Sequence, residues 1–279
     1  MEVEKQTRAR FLERVGPPLT KLRYMRIATS LAVVLVLASA APQTLAQSYS
    51  RHEVTELRIG QQEFVTLRRQ GRVIVSSPDY AALTPIGTRI AAVANAQYFV
   101  PFHFMLVRDD SPNAFAVPGG NVYVTSAMMQ FAQNQDELAA VLCHETAHDI
   151  HHDVLNLRTK DTWVAVVGTL LGTVVNKSRI GRAALQLAET GEADHFSRQV
   201  ESNADATGAR ICATAGFNPW GMVWLMKRYQ ESANGTRPEF FSDHPSDAHR
   251  IRDLMAEFKK DPATFGRFSS RPPAATLLP

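Results

Sequence analysis

Cysteine is scarce in this sequence of 279 residues, with only Cys143 and Cys212 present. A framework of several disulfides is therefore excluded, and stability must come from packing, aided by any bound metal. An excess of positive or negative charge is also lacking, because the formal net charge is only +3. This charge is too small to argue for a nucleic-acid partner. Internal repeats are lacking, which excludes a helical-repeat array. With 45% hydrophobic and 20% charged residues, the composition is that of a globular protein that buries a core.

Hydrophobic runs long enough to span a bilayer are absent as well. The first run, residues 27–38, follows a basic segment that ends at Arg26 and is shorter than the roughly 20 residues that a transmembrane helix needs. Small residues come next, so residues 1–46 are predicted to be a signal peptide of an exported protein. We hypothesise that translation starts at Met25; an uncleaved membrane anchor is the alternative. The second run, 162–175, is interpreted as a buried helix, with a membrane-contacting helix as the alternative.

The rest of the chain is predicted to be one domain, residues 47–270, followed by a disordered tail at 271–279. Hydrophobic periods of two and of three to four residues both occur, which predicts a mainly helical α+β fold with a small antiparallel sheet. The predicted strands are 54–59, 63–67 and 72–75, the last two joined by a hairpin-like break, then 102–107 and 121–124. The predicted helices are 78–96, 125–130, one that begins after the cap Asn134, 198–213, 219–231 and 247–259.

Residues 144–148 read His-Glu-Thr-Ala-His, an HExxH motif on the helix that follows Asn134. Residues four apart lie on one helical face, about 5–6 Å apart, so His144 and His148 can bind one tetrahedral ion. Glu145 is rotated roughly 100° from His144, where it can take a proton from an attacking water instead of binding the ion. Polar residues inside an otherwise apolar, capped helix need such a reason. The alternative is a helix with two hydrogen-bonded surface histidines.

A third metal ligand is available downstream at Glu201, with Asp205 four residues later on the same helical face. An Asp one turn beyond a carboxylate ligand is placed to orient a ligating histidine. The competing pattern, a histidine six residues after the motif, fails because Val154 stands there. His151 and His152 come too early for it. Two histidines and one glutamate leave a fourth position open, which is typical of a catalytic rather than a structural zinc site.

Four separated motifs occur in one order: residues 113–120 (Asn-Ala-Phe-Ala-Val-Pro-Gly-Gly), the HExxH motif, residues 201–205, and His244-Pro245 with Arg250-Ile251. Together they resemble the zinc metallopeptidase family of the CAAX prenyl protease and the heat-shock membrane protease HtpX, of gluzincin type. The resemblance covers about residues 71–254. Within this family the chain is most similar to short periplasmic members involved in outer-membrane quality control. It lacks both the membrane spans of the prenyl protease and the helical repeats of longer assembly-enhancing members, so prenyl-protein processing is not expected.

The resemblance implies a zincin-like domain with one zinc ion per chain. It implies an edge strand above the zinc helix that pairs with an extended substrate backbone; its residues are Asn113, Ala114, Phe115 and Ala116. His244 resembles a late histidine near the metal, which either stabilises the oxyanion or occupies the open position in a resting state. Arg250 either assists on that side of the cleft or pairs with a carboxylate.

The predicted function is that of an exported zinc endopeptidase, in the periplasm of a Gram-negative bacterium, that cleaves misfolded or misassembled envelope proteins. Association with the membrane surface is left open, and no nucleic-acid partner is expected. One alternative is an exported chaperone or assembly factor that binds its clients with little cleavage. The intact Glu145 argues against it, because binding alone does not need that residue. The other alternative is a metal-dependent hydrolase of small molecules, which the backbone-pairing strand disfavours.

Cys143 and Cys212 are expected to be two buried thiols. Cys212 lies 11 residues beyond Glu201, which is roughly 16 Å along a helix. Cys143 lies next to the predicted ligand His144 on the other helix. Because Cys212 is that far from the predicted ligand Glu201, a disulfide between Cys143 and Cys212 is the less favoured alternative.

Overall fold

The computed structural model describes residues 48–156, 192–231, 240–244, 248–275 and 278, and Tyr49–Pro279 form one compact unit. The strands are β1 (Val73–Ile74), β2 (His103–Val107), β3 (Ala114–Val117) and β4 (Asn121–Thr125). The helices are α1 (Arg51–Arg69), α2 (Tyr80–Ala94), α3 (Ser126–Phe131), α4 (Gln135–Ile150), α5 (Asp153–Asn156), α6 (Glu192–Thr214), α7 (Trp220–Glu231), α8 (Phe240–Asp243), α9 (Ala248–Lys260) and α10 (Pro262–Phe265). The predicted α+β, zincin-like fold class is confirmed.

The four strands form one small sheet in the order β1-β2-β4-β3. The β1–β2 and β3–β4 pairs are antiparallel, whereas β2 and β4 are parallel. The sheet is therefore mixed and not wholly antiparallel as predicted, because the chain passes from β2 to the edge strand β3 before it returns to β4 in the middle. This crossover places β3 at the sheet edge, where among the described residues it pairs with a strand on one side only.

The two faces of the sheet pack against different helices. On β4, Val122 and Val124 face the main core, which they share with α2 and α4. Tyr123 faces the opposite side and joins a second cluster with Ile59 and Leu67 of α1. The alternation along the strand produces both surfaces, since successive side chains point to opposite faces.

The N-terminal part of the domain differs from the prediction, because the segments 54–59 and 63–67 belong to the single helix α1. A capping box starts it: the Ser50 hydroxyl accepts from the Glu53 N–H, and the Glu53 carboxylate accepts from the Ser50 N–H. The buried face has helical spacing and consists of Glu56, Ile59, Gly60, Glu63 and Leu67. Two glutamates on that face hid the helical period of the apolar residues. The third predicted strand, 72–75, is confirmed as β1.

Glu63 stands out on the buried face of α1, because its carboxyl group packs beside the second cluster. Among the described residues, Glu63 Oε1 and the Tyr123 hydroxyl have no hydrogen-bond partner. Burial raises the pKa of Glu63 from 4.5 to about 7, although Arg72 attracts the charged form and lowers it. Between these two pH values the folded protein holds a proton that the unfolded chain has lost. The free energy of unfolding therefore falls as the pH rises through this window.

We expect Glu63→Gln to raise the free energy of unfolding at pH 8 by about 1–3 kcal/mol, because the variant no longer buries a charge. The gain should shrink as the pH falls through about 7 and be nearly absent close to pH 4.5, where the native carboxyl is protonated in both states. Urea unfolding at pH 5 and pH 8 measures it. Glu231→Gln, at an exposed helix end, is the matched control. An equal gain at both pH values would contradict the assignment to Glu63 ionisation.

Helix α4, which carries the HExxH motif, lies at the centre of the domain, and its residues from Glu137 to Asp149 are buried. Asn134 caps it as predicted, with its side chain accepting from the Glu137 N–H at 3.0 Å. A Cβ atom added at Gly208 of α6 or at Gly221 of α7 would crowd the α4 backbone. Both helices therefore pack backbone against backbone on α4, which brings the ligand-bearing part of α6 close to the motif.

The two cysteines form a disulfide, so the expectation of two free thiols is wrong. The Cα atoms of Cys143 and Cys212 are 5.9 Å apart, within the normal range for a disulfide. Helices α4 and α6 are in backbone contact at Gly208, only one turn before Cys212, so the distance along α6 from Glu201 does not separate the two cysteines. Near Glu201, the side chains of His144 and Glu201 reach across the space between α4 and α6. The bridge thus ties together the two helices that carry the predicted metal ligands.

The other predicted elements in the described part of the chain are confirmed within two residues as α2, β2, β4, α3, α4, α7 and α9. The predicted helix 198–213 is confirmed as α6, which begins six residues earlier, at Glu192. The predicted signal peptide at 1–46 and the predicted helix at 162–175 lie outside the described residues. Within the described ranges, every helix is too short or too polar to cross a bilayer.

Candidate metal centre

Helix α4 brings both motif histidines to one point. The Nε2 atoms of His144 and His148 are 3.1 Å apart, and the two rings meet edge to face. The two residues are 1% and 8% exposed, which is unusual for histidine and requires specific partners. One turn of helix between them produces this convergence, as the spacing predicted.

Helix α6 adds Glu201 from the opposite side. Glu201 Oε2 lies 3.3 Å from His144 Nε2, and Oε1 lies 3.5 Å from His148 Nε2. Asp205, one turn later, faces the other nitrogen of His144, with Oδ1 3.0 Å from Nδ1. Both predicted roles thus have the expected geometry: a carboxylate among the donors, and an Asp that orients a histidine.

His244 follows the short helix α8 and completes the group. Its Nδ1 lies 3.3 Å from His144 Nε2 and 3.0 Å from Glu201 Oε1. His144, His148, Glu201 and His244 each offer one donor atom, and these four atoms lie within 4.8 Å of one another. His244 therefore sits at the fourth position, which two histidines and one glutamate alone would leave open.

The donor spacing fits a tetrahedral zinc ion. With zinc about 2.0–2.1 Å from each donor, the donor atoms of a tetrahedral site are roughly 3.3 Å apart. The distances from His144 Nε2 to the donor atoms of His148, Glu201 and His244, which are 3.1, 3.3 and 3.3 Å, are close to that value. Some of these pairs are two ring nitrogens facing each other, such as His144 and His148, and they can form at most one hydrogen bond between them. Imidazole nitrogens with a carboxylate are ligands that suit zinc among the biological metals.

The charges at the site also favour a cation. Burial alone would raise the pKa of Glu201, but His244 and Arg250 beside it hold that pKa well below its usual range. Burial likewise opposes charge on His144, yet the neighbouring carboxylates Asp205 and Glu201 raise its pKa to about 10. Because a histidine must be deprotonated to bind a metal, metal binding should weaken as the pH falls.

Both motif histidines are oriented by an aspartate, and one of these was missed in the sequence. Asp205 faces His144 Nδ1, and Asp153 Oδ2 lies 2.8 Å from His148 Nδ1. Each ring thus points its Nε2 toward the shared centre. Asp153 lies five residues after His148 at the start of α5, beyond a turn in which His152 has a positive φ of 55°. Helical periodicity alone does not place a residue after such a turn, so a metal role for Asp153 could not be predicted.

Arg250 connects three parts of the site from within the core, with only 2% of its surface exposed. Its guanidinium donates to both oxygens of Asp205, at 2.8 and 2.7 Å. It also lies 2.8 Å from Glu201 Oε2 and donates to the backbone carbonyl of His244 at 3.2 Å. Of the two predicted roles, pairing with a carboxylate is thus observed.

The two oxygens of Glu145 differ, because only Oε2 has a hydrogen-bond partner among the described residues. Oε2 accepts a hydrogen bond from the backbone N–H of Ala116 at 2.9 Å, and Oε1 lies 3.3 Å from His244 Nε2. Ala116 belongs to the edge strand β3, so the strand predicted to bind substrate touches the predicted base. His244 therefore contacts the donor group with one ring nitrogen and the predicted base with the other.

The remaining predicted residues lie around this centre. Asn113 precedes β3, and its side chain accepts from the Ala114 N–H at 2.8 Å. The Phe115 ring packs on Tyr123 in the second cluster, on the other side of the sheet from the main core. His151 and His152, which were not expected to be ligands, contact Thr207 and Glu56 instead.

Comparison with known proteins shows that the chain is similar to peptidases. The model of peptidase family M48 matches residues 79–257. The chain is 31% identical over 182 residues to the β-barrel assembly-enhancing protease of Escherichia coli (strain K12), an alignment that covers 61% of this chain and 37% of that protein. It is 33% identical over 151 residues to the mitochondrial metalloendopeptidase OMA1 of Schizosaccharomyces pombe, which covers 53% of this chain and 44% of that protein. The chain spans less than half the length of these relatives. The resemblance found from four motifs is confirmed.

Proposed function

The chain belongs to peptidase family M48, and from this premise we propose that it is an exported zinc endopeptidase that cleaves misfolded or misassembled envelope proteins. One observation carries the proposal: Glu145 lies between the four converging donors and the edge strand, bonded to the Ala116 N–H. A metal site, a base and a backbone-pairing strand in direct contact are the parts that hydrolysis of an extended peptide needs.

In this proposal His144, His148 and Glu201 hold the metal. When bound, zinc would polarise the scissile carbonyl and make a water molecule more acidic. Glu145 takes the proton from the attacking water and delivers it to the leaving amine. Asp205 and Asp153 keep the two histidines in the tautomer that presents Nε2. The free side of β3 pairs with the substrate backbone and sets the scissile bond against Glu145.

His244 serves as a reversible block in this proposal. Its ring nitrogens lie 3.0 Å from Glu201 Oε1 and 3.3 Å from Glu145 Oε1, where the attacking water and the scissile carbonyl would have to enter. An entering peptide would have to displace it. The displaced ring would then lie near the developing oxyanion, which combines the two predicted roles in one residue.

The envelope assignment is supported by the relatives whose name is β-barrel assembly-enhancing protease. It agrees with the predicted signal peptide and with a disulfide, which is typical of oxidising compartments. We place the protein in the periplasm, with unfolded or misassembled proteins as substrates.

A second function is favoured by one observation. Because His244 fills the fourth position and engages Glu145, the resting protein suits a client-binding assembly factor with latent cleavage. The two functions differ in whether clients are cut once they are bound.

The test of the proposed function is metal-dependent cleavage of an unfolded protein. The chain from Gln47 onward should cleave reduced, alkylated casein, lose that activity in a chelator, and regain it when one equivalent of zinc returns. Mass spectrometry of the products should show internal cuts, which an endopeptidase makes. Binding of casein without any cut, with zinc present at one ion per chain, would favour the assembly factor.

Replacing His244 with alanine should raise basal casein cleavage several-fold, because it opens the fourth position and frees Glu145. Zinc content should stay near one per chain, since three ligands remain. Initial rates and metal analysis of the same preparation measure both. His249→Ala, an exposed histidine on α9, is the matched control and should not change the rate. Slower cleavage by the His244 variant would show that its main role is in the transition state.

A further inference from the structure

The turn that ends the edge strand is held by residues outside the catalytic motifs. Gly119 and Gly120 connect β3 to β4, with positive φ values of 98° and 79° that favour glycine. The Gly119 N–H donates to the Tyr98 hydroxyl at 3.0 Å, and the Gly120 N–H donates to Asp149 Oδ2 at 3.0 Å. Asp149 belongs to α4, next to His148. The turn is therefore fixed to the motif helix on one side and to Tyr98 on the other.

Helix α1 closes the third side of this turn. A Cβ atom at Gly60 would overlap the Pro118 carbonyl, so the helix backbone lies directly against the turn. A Cβ atom at Gly119 would lie 3.3 Å from the Glu56 carbonyl oxygen, which shows a second close approach. Since the family model matches residues 79–257, α1 is not part of the matched region.

The Glu56 carboxylate joins these parts. It is 1% exposed, and its Oε2 accepts from the Tyr98 hydroxyl at 2.8 Å. Its Oε1 lies 2.7 Å from Nδ1 of His152, which follows the motif helix with a positive φ. Burial, together with the nearby carboxylates of Asp149 and Glu56, raises the pKa of Tyr98, so its hydroxyl remains a donor. A continuous path runs from the end of α4 through Glu56 and Tyr98 to the Gly119 N–H.

This path ends three residues from the Ala116 N–H that bonds Glu145. A movement of the turn would shift Ala116 against Glu145, because β3 is short and rigidly paired with β4. Misplacement of a substrate-holding strand by about 1 Å is enough to weaken productive binding.

We propose that Glu56 and Tyr98 are positioning residues, which lock the β3–β4 turn and so set the height of the edge strand over the metal helix. The consequence for substrate binding rests on the proposed peptidase function. The positioning of the turn by Glu56 and Tyr98 does not rest on that function, because it concerns the hydrogen bond between Ala116 and Glu145 in the protein without substrate.

The decisive variant is Tyr98→Phe, which removes one hydroxyl and with it both hydrogen bonds. Glu56→Gln keeps an acceptor for Tyr98 and is the conservative partner. Phe265→Leu, in α10 against Phe258, is a destabilising control remote from the strand. All three are made in the chain from Gln47, and their melting temperatures and zinc contents are measured first.

The first readout needs no activity: hydrogen–deuterium exchange of the segment 114–120. We expect about tenfold faster exchange in Tyr98→Phe, a smaller change in Glu56→Gln, and none in Phe265→Leu at equal loss of melting temperature. The second readout is cleavage of a fluorogenic decapeptide, where KM should rise about 5- to 10-fold in Tyr98→Phe while kcat changes less than twofold. Unchanged exchange in Tyr98→Phe, or an equal change in Phe265→Leu, overturns the proposal. If the parent fails to cleave, the proposed function is refuted, and exchange alone decides the lock.

Discussion

Replacing Glu145 with glutamine should lower the rate of peptide cleavage by about 10²- to 10⁴-fold while zinc stays bound, because a general base of this kind contributes that much. The amide has nearly the shape of the carboxylate, and its oxygen can still accept from the Ala116 N–H. It cannot take a proton from water, and it is not one of the four donors. Casein cleavage and zinc content, measured on the same protein, test this directly.

Glu137 provides the matched control for this substitution. It lies on the same helix, is 1% exposed, and pairs with Arg228 away from the metal centre. Glu137→Gln makes the same chemical change and should cost stability without removing turnover. If Glu145→Gln cleaved as fast as Glu137→Gln, Glu145 would not be the base. If it lost zinc instead, the carboxylate would help to hold the metal.

Replacing Arg250 with alanine should destabilise the fold by about 3–5 kcal/mol, because two buried carboxylates would lose their positive partner. Asp205 would lose both of its hydrogen bonds from the guanidinium, and Glu201 would lose an ion pair at 2.8 Å. Because Asp205 orients His144, zinc affinity should also fall, by about 10- to 100-fold. Urea unfolding of the metal-free form and competition with a zinc chelator measure the two effects.

A second arginine offers a direct comparison. Arg210 also pairs with two carboxylates, Glu257 and Asp261, but its side chain is 48% exposed. Arg210→Ala should cost less than about 1 kcal/mol and leave zinc affinity unchanged, because water screens an exposed pair. Arg250→Lys should fall between Arg250→Ala and the parent, since an ammonium cannot bind Asp205 in bidentate geometry. Equal effects of the two alanine variants would contradict the role of burial in this argument.

The parts of the candidate site that were predicted from the sequence are pairs of residues one helical turn apart. His144 and His148 are four residues apart, and so are Glu201 and Asp205, so each pair follows from helical periodicity once its helix exists. The cap at Asn134 and the apolar faces of α2 and α4 were also predicted, because they too depend on residues one helical turn apart. In each case the interacting residues are neighbours in the chain, and the local sequence contains the cause.

The predictions were wrong where burial depends on contacts between segments far apart in the chain. Glu56 and Glu63 interrupt the apolar face of α1, and only Tyr98 and His152, distant in sequence, explain how Glu56 can be buried. The disulfide was misjudged because the place where α4 and α6 touch is set by Gly208, not by the ligands.

The sequence by itself therefore determined the fold class, the family and most residues of the candidate metal centre, since local periodicity and ordered motifs are properties of the chain. Only the tertiary structure decided that His244 closes the donor group, that Asp153 orients His148, and that α1 supports the edge strand. Those contacts join residues from separate elements. Their distances depend on how helices and strands pack, and packing is fixed by the whole core rather than by any one segment.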